Sequence, residues 1–183
     1  MLWVWVQRVL GMNKIYTKKG DRGETGTFGG RISNSDQLAI ALGTIDELNS
    51  WVGLCRGENS NSQIHKFTNQ IQKELFKIQT NLMVINSILA GAKNQKIRDS
   101  EIKRLEKLID KLTLELPELK NFIYPVGYLQ VARAVARRAE REIVALETKD
   151  KNILKYINRL SDALFVVARF VNKQNGLVEE TWK

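Results

Sequence analysis

The run I-H-K-F-T-N-Q-I-Q-K-E-L-F-K-I-Q-T-N-L-M-V-I-N-S-I-L, Ile64 to Leu89, decides the fold. Its apolar residues Ile64, Phe67, Ile71, Leu75, Ile78, Leu82, Ile85 and Leu89 recur in steps of three and four, which places them on one stripe of a 3.6-residue helix. Spacing of this kind suits antiparallel bundle packing at roughly 20°. Gly91 supplies the stop.

The same period continues on both sides. Upstream, Asp36 is placed to cap a helix carrying Leu38, Ala41, Leu42, Ile45, Leu48, Val52 and Cys55 and ending near Gly57. The polar segment E-N-S-N-S, Glu58 to Ser62, reads as the connector. Downstream, Ser100 is expected to cap a third helix with Ile102, Leu105, Leu108, Ile109, Leu112 and Leu116 inward and Pro117 near its end. A break over Asn121 to Gly127 leads to a fourth helix, about Tyr128 to Thr148. The fifth, about Asn152 to Asn175, turns Ile153, Ile157, Leu160, Leu164, Val167 and Val171 inward. No strand pattern or internal repeat is evident. The expectation is an all-α protein, an up-and-down bundle of about five helices with a glycine-rich N-terminal nucleotide-binding loop.

Composition agrees. With 183 residues, 43% of them hydrophobic and two prolines, the chain can bury a core of its own and form long helices. The single cysteine, Cys55, excludes a disulfide framework and a cysteine-based metal site, and points to a reducing, cytoplasmic compartment. The one histidine, His65, lacks the Glu-x-x-His partners of a di-metal bundle. Net charge is +9, but the lysines are dispersed along helices as a solvated face is, and an anionic small molecule accounts for the excess without nucleic acid. Leu2 to Leu10 is apolar but far short of the roughly 20 residues that span a bilayer, and it lacks the charged flank and cleavage site of a signal peptide. Met12 is a candidate start, which would make residues 1–11 an extension and residues 12–183 one helical-bundle domain.

Two segments carry chemistry. Tyr16 to Gly30, Y-T-K-K-G-D-R-G-E-T-G-T-F-G-G, combines glycines with lysines and threonines. Glycine lets a ligand approach the main chain, and successive N–H groups bent into a nest bind anions. The inference is a polyphosphate cradle, although Gly/Thr/Lys-rich segments are more often ordinary surface loops. It is not a Walker loop, since no Gly-Lys-Ser/Thr follows at the required spacing. In the fourth helix, with Ala139 at the centre of the core face, Ala132, Val135, Ala136, Ile143 and Leu146 fall within about 60° of it. Arg133, Arg137, Glu140 and Arg141 then share the other side, together with Ala134 and Val144. Apolar residues in that arc suggest a partner subunit or a ligand; a salt-bridge-laced exposed helix is the plainer alternative.

Taken together, the two segments resemble the PduO-type ATP:cob(I)alamin adenosyltransferases, whose N-terminal signature T-K-x-G-D-x-G-x-T-x-x-x-G-G matches from Thr17 to Gly30. G-T-I-D-E-L-N-S-W-V-G at Gly43 to Gly53, R-A-V-A-R-R-A-E-R at Arg133 to Arg141, and Y-I-N-R-L-S-D-A-L-F at Tyr156 to Phe165 follow in the family's order. The resemblance implies transfer of the 5′-deoxyadenosyl group of ATP to cob(I)alamin, with release of triphosphate and with Mg²⁺ as cofactor. It assigns Thr17, Lys18, Lys19, Gly20, Asp21, Thr25 and Gly26 to the nucleotide, together with Arg137, Arg138, Glu140, Arg141 and Asn158. Arg137 is implied as the central phosphate ligand, and Arg133 as the partner of Asp46 on a neighbouring subunit, because family members are trimers with active sites between protomers. Phe122 matches the aromatic that displaces the lower axial ligand of the corrin. The chain departs from the family pattern in two places: the segment before Arg133 is about five residues short, and Asn34 stands where many members carry lysine. The short segment keeps a second reading open, a non-catalytic bundle that senses ATP.

Overall fold

The computed structural model describes residues 16–61 and 69–182. The apolar run Leu2 to Leu10, the candidate start Met12, and Ile64, His65 and Phe67 lie outside these residues. Among the described residues five helices carry the fold: α1 (Gln37–Asn61), α2 (Asn69–Leu89), α3 (Asp99–Thr113), α4 (Tyr128–Ala145) and α5 (Lys151–Gln174). The centre of each inner stripe is buried as its period predicts, while Leu38, Leu42, Leu89, Ile109 and Val171 are only half-buried. Ile45, Leu48 and Val52 of α1, Ile71, Leu75, Ile78, Leu82 and Ile85 of α2, and Ile153, Ile157, Leu160 and Leu164 of α5 are all essentially inaccessible.

Cross-helix pairs fix the directions. Gln79 Nε2 donates to the Asn49 carbonyl at 3.1 Å and Gln72 Nε2 to that of Arg56 at 3.4 Å, so α1 and α2 are antiparallel. Asn81 to Glu101 and Lys111 to Gln70 set α3 antiparallel to α2. Gln37 to Glu142 and Arg138 to Glu47 run α4 against α1, and Glu140 to Asn158 runs α5 against α4. Asn152 to the Ile97 carbonyl, Arg159 to Glu106 and Arg169 to the Pro117 carbonyl then make α3 and α5 parallel neighbours. The bundle is therefore a ring in the order α1, α2, α3, α5, α4. The starts of α1, α3 and α5 share one end and their C-termini share the other.

Several boundaries differ from the sequence expectation. Asp36 does cap α1, its Oδ1 accepting from the Leu38 N–H at 2.8 Å. However, α1 continues to Asn61, so the polar segment that starts at Glu58 is helical before it becomes a connector. Ser100 is not the cap of α3: the helix begins at Asp99, the preceding Arg98 makes no side-chain cap, and Asp99 and Glu101 instead place negative charge on the first turn. The fifth helix is capped by Asp150, whose Oδ1 accepts from the N–H groups of Asn152 (2.9 Å) and Ile153 (3.3 Å).

The strands are a further correction. Within the glycine-rich segment, β1 (Glu24–Thr27) pairs antiparallel with β2 (Gly30–Ser33), Thr27 opposite Gly30 and Glu24 opposite Ser33. Two residues, Phe28 and Gly29, make the turn. Each strand is only four residues long; β1 alternates exposed and half-buried positions but with threonines rather than large apolar residues on its inner side, and β2 half-buries only Ile32, so neither presents the apolar alternation by which strands are recognised. The two-residue spacer containing glycine was the available signal.

Candidate nucleotide and corrin site

The hairpin is docked, not free. The Phe28 N–H donates to the Ala90 carbonyl at 2.9 Å, tying its turn to the C-terminal end of α2. Gly91, where that helix stops, has φ +104°, and a Cβ there would lie 3.4 Å from the Phe28 Cβ. The angle is what favours glycine here, since the Phe28 Cβ would be at ordinary contact distance. Ahead of the hairpin, the Gly23 N–H bonds to the Gly20 carbonyl (3.0 Å), the Lys19 N–H to Thr17 Oγ1 (3.3 Å), and Lys18 adopts a left-handed φ of 58°. Arg31, absent from the sequence-based site, clamps the turn: its Nε donates to Glu24 Oε2 at 2.9 Å, and its Nη2 to the Glu24 carbonyl at 3.0 Å and to the Lys19 carbonyl. Thr17, Lys18, Lys19, Gly20, Asp21 and Gly26 are exposed on this frame, and Thr25 is half-buried. The glycine-rich segment is thus a pinned turn and hairpin at the bundle end where α1, α3 and α5 begin.

The arginine arc of α4 forms as predicted. Ala132, Val135, Ala136, Ala139 and Ile143 face the core, while Arg137, Arg141 and Val144 are exposed. Its members have different partners. Glu140 Oε1 accepts from Asn158 Nδ2 at 2.8 Å, so the structure brings those two candidates together across α4 and α5. Arg138 is engaged by Glu47 of α1. Arg133 Nε donates to Gln130 Oε1 at 2.7 Å, and its guanidinium lies 5.8 Å from the centroid of the Phe165 ring, on the α5 side of α4. Arg141 Nη1 donates to the Arg137 carbonyl at 3.1 Å, and the Arg137 guanidinium has no side-chain partner among the described residues.

Asp46 is exposed on the outer face of α1, on the opposite flank of α4 from Arg133, so the expected Arg133–Asp46 pair does not form within one chain. That outer face joins Ile40 and Leu54 of α1 to Val131 and Val144 of α4, all exposed apolar side chains flanking Arg137 and Arg141.

Phe122 lies at the far end of the bundle and is 79% exposed. The segment linking α3 to α4 passes the end of α5 and pairs there with the chain that follows α5. Ile123 bridges Thr181, the Tyr124 N–H donates to the Glu180 carbonyl, and the Trp182 N–H donates to the Phe122 carbonyl, both at 2.9 Å. Tyr124, Val126, Tyr128, Val178 and Trp182 are exposed beside it, giving an apolar, aromatic rim. The C-terminal segment was missed from sequence because no periodicity marks a single bridge. Among the described residues no group of three or more His, Cys, Asp or Glu side chains is arranged to hold a metal ion. None of the helices is long and apolar enough to cross a membrane.

Comparison with known proteins matches this layout. The model of the cobalamin adenosyltransferase family matches residues 15–171. The chain is 41% identical over 176 residues to the corrinoid adenosyltransferase of Bacillus subtilis, covering 90% of this chain and 89% of that one. It is 40% identical over 188 residues to human corrinoid adenosyltransferase MMAB, covering 92% of this chain and 73% of the relative. Among solved structures, a variant PduO-type ATP:corrinoid adenosyltransferase from Lactobacillus reuteri, complexed with cobalamin and ATP, superimposes with TM-score 0.83 at 35% identity, covering 93% of this chain and 97% of that one. A further variant complexed with ATP gives TM-score 0.81 at the same identity, covering 92% and 99%. From the glycine-rich hairpin through the arginine helix to the fifth helix, this chain belongs to the cobalamin adenosyltransferase family.

Proposed function

We propose that this protein transfers the 5′-deoxyadenosyl group of ATP to cob(I)alamin in a site completed between protomers, where the nucleotide held by the loop and α4 meets the corrin held at Phe122. Cobalt(I) supplies the electron pair that forms the cobalt–carbon bond. The C5′–oxygen bond breaks and triphosphate leaves with that bond's electrons. The substrate is itself the nucleophile, so the protein needs no Ser-His-Asp or Cys-His set. Its tasks are to hold C5′ in line and to stabilise charge on the leaving group. The observation that carries this reading is the outward guanidinium of Arg137, without a side-chain partner among the described residues, on a helix where Arg133, Arg138 and Glu140 are already engaged.

The hairpin loop supplies main-chain N–H groups, Lys18, Lys19 and the threonine hydroxyls to the triphosphate; Arg137 and Arg141 close on it, and the Glu140–Asn158 pair faces the nucleoside. Mg²⁺ fits this donor set as a companion of the triphosphate, because it keeps several waters and takes one or two carboxylates, of which the loop offers Asp21. Phe122 and its rim receive the corrin. The exposed apolar face of α1 and α4 is the surface on which a homotrimer assembles, and there Asp46 of one protomer meets Arg133 of the next. Two observations support this assembly: the two residues are held apart within one chain, and Ile40, Leu54, Val131 and Val144 are left exposed around the arginines.

Anaerobic incubation with ATP, Mg²⁺ and chemically reduced cobalamin should yield the spectrum of adenosylcobalamin with one triphosphate per product. ATP binding without product would support the nucleotide-sensing alternative instead. Sedimentation of the same sample should give a trimer, and a stable active monomer would remove Asp46 from the site.

The docking of the loop gives a separate prediction. Gly91→Ala forces a strained φ against the Phe28 turn, which costs about 1–3 kcal/mol. It should raise the KM for ATP more than that for cobalamin, because the only groups a Cβ at Gly91 meets, Phe28 and Gly29, belong to the loop. Equal changes in both constants would show that the strain spreads beyond the loop.

A further inference from the structure

Phe122 is fixed by its backbone more than by packing of its ring, which is largely exposed. Its carbonyl accepts from Trp182, and Tyr124 two residues on donates to Glu180. The placement of Phe122 therefore depends on where residues 180–182 lie. Those residues follow directly on Glu179, whose carboxylate is gripped by Arg169 of α5: Nε to Oε1 at 2.6 Å and Nη2 to Oε2 at 2.9 Å. The same Nη2 donates to the Pro117 carbonyl at 2.9 Å, five residues before Phe122. Arg169 is only 5% exposed, and its guanidinium also lies 5.8 Å from the centroid of the Phe165 ring, the ring over which Arg133 sits. One buried fork thus holds both segments of the pairing, the connector through Pro117 and the C-terminal segment through Glu179. A buried charge is retained at a cost in desolvation, and fixing geometry is one use for it.

We infer that Arg169 is a positioning residue for Phe122, acting through Glu179 and the C-terminal segment to hold the aromatic where it excludes the lower axial ligand of the corrin. This rests on the proposed function, in which Phe122 receives the corrin, and on the axial-ligand role that the family resemblance implies for Phe122. Lysine does not reproduce the fork, because its three N–H donors radiate from one nitrogen, whereas Arg169 meets the carboxylate oxygens from two separate nitrogens, Nε and Nη2. The role is distinct from stability, because it concerns one face of one substrate.

The test uses the full chain as wild type, Arg169→Lys, Glu179→Gln and, for reference, Phe122→Ala. Each is loaded with ATP and cob(II)alamin without oxygen, and absorption and electron paramagnetic resonance report the fraction of cobalt lacking an axial ligand. Transfer from pre-reduced cob(I)alamin, which has no lower ligand to displace, is measured in parallel. Losing an orienting partner should lower the four-coordinate fraction about tenfold or more in Arg169→Lys, as in Phe122→Ala. ATP affinity should hold, and transfer from cob(I)alamin should fall far less. Glu179→Gln keeps neutral hydrogen bonds and should fall between wild type and Arg169→Lys. A wild-type four-coordinate fraction in Arg169→Lys overturns the inference. So does a parallel loss of ATP affinity and cob(I)alamin transfer, which would mark a general structural role. A four-coordinate signal that survives in Phe122→Ala overturns it as well. A wild type that makes no product even from cob(I)alamin instead overturns the transferase reading, and this inference with it.

Discussion

Arg137→Ala should reduce adenosyl transfer about a hundredfold or more, a few kcal/mol of transition-state stabilisation, while the protein remains folded. Both halves follow from the setting of Arg137. Its side chain is exposed and makes no ion pair among the described residues, and its one recorded contact is through its carbonyl, which alanine keeps. Alanine is also the best helix former, so α4 loses nothing locally. What is removed is a charge poised for the triphosphate at the moment its negative charge increases. The check is kcat/KM with reduced cobalamin set against the thermal midpoint of the same preparation. Turnover near that of wild type would take Arg137 out of the site. Arg137→Lys should retain part of the rate, since it keeps charge but loses the planar fork.

Asn81→Leu should be among the most destabilising single changes, and its effect should depend on pH. Asn81 Nδ2 donates to Glu101 Oε2 at 3.0 Å and to the hydroxyl of Tyr156 at 3.2 Å, joining α2, α3 and α5. Arg104 completes the cluster, donating to Glu101 at 3.1 Å and to Glu74. Leucine would leave the fully buried Tyr156 hydroxyl without this partner and would remove a charge-assisted bond from Glu101; together these are worth about 2–5 kcal/mol. Burial pushes the Tyr156 hydroxyl well above its usual pKa, so it stays a neutral phenol. The Asn81 bond is the largest influence holding the Glu101 carboxyl below its ordinary value of 4.5, with Arg104 adding to it and burial opposing. A lowered folded pKa contributes stability that is complete above the unfolded value and lost as pH falls through the folded one. Wild type should therefore lose this increment as pH drops below about 4.5, and Asn81→Leu should lose less of it. Urea melts at pH 7 and at mildly acidic pH would show this; equal pH slopes in the two proteins would remove Glu101 from the account.

The bundle was legible because each helix announces itself locally. The stripe from Ile71 to Ile85, the Asp36 cap and the alanine-rich core face of α4 are all written within a few turns of chain; the structure buries the stripe and the core face, and Asp36 caps α1. The arginine arc was legible for the same reason, since residues at i, i+4 and i+8 on a helix are neighbours whatever else the fold does. What resisted reading was everything whose partner lies far along the chain. Arg31 lies just beyond the glycine-rich stretch and carries no local signal, yet it reaches back to the Lys19 carbonyl. Arg169 sat in an apolar stretch of α5, and only the return of Glu179 and the passage of Pro117 explain a buried charge there.

The sequence by itself determined the class of fold, the inward residues of the helices and the family, because period, caps and ordered motifs are properties of neighbouring residues. Only the tertiary structure decided the ring order with α3 parallel to α5, the docking of the hairpin on the end of α2, and the pairing of the C-terminal segment with Phe122. These depend on backbone hydrogen bonds and buried charge pairs between segments distant in sequence. Local periodicity does not record such contacts, because they exist only once the core has brought the helices together.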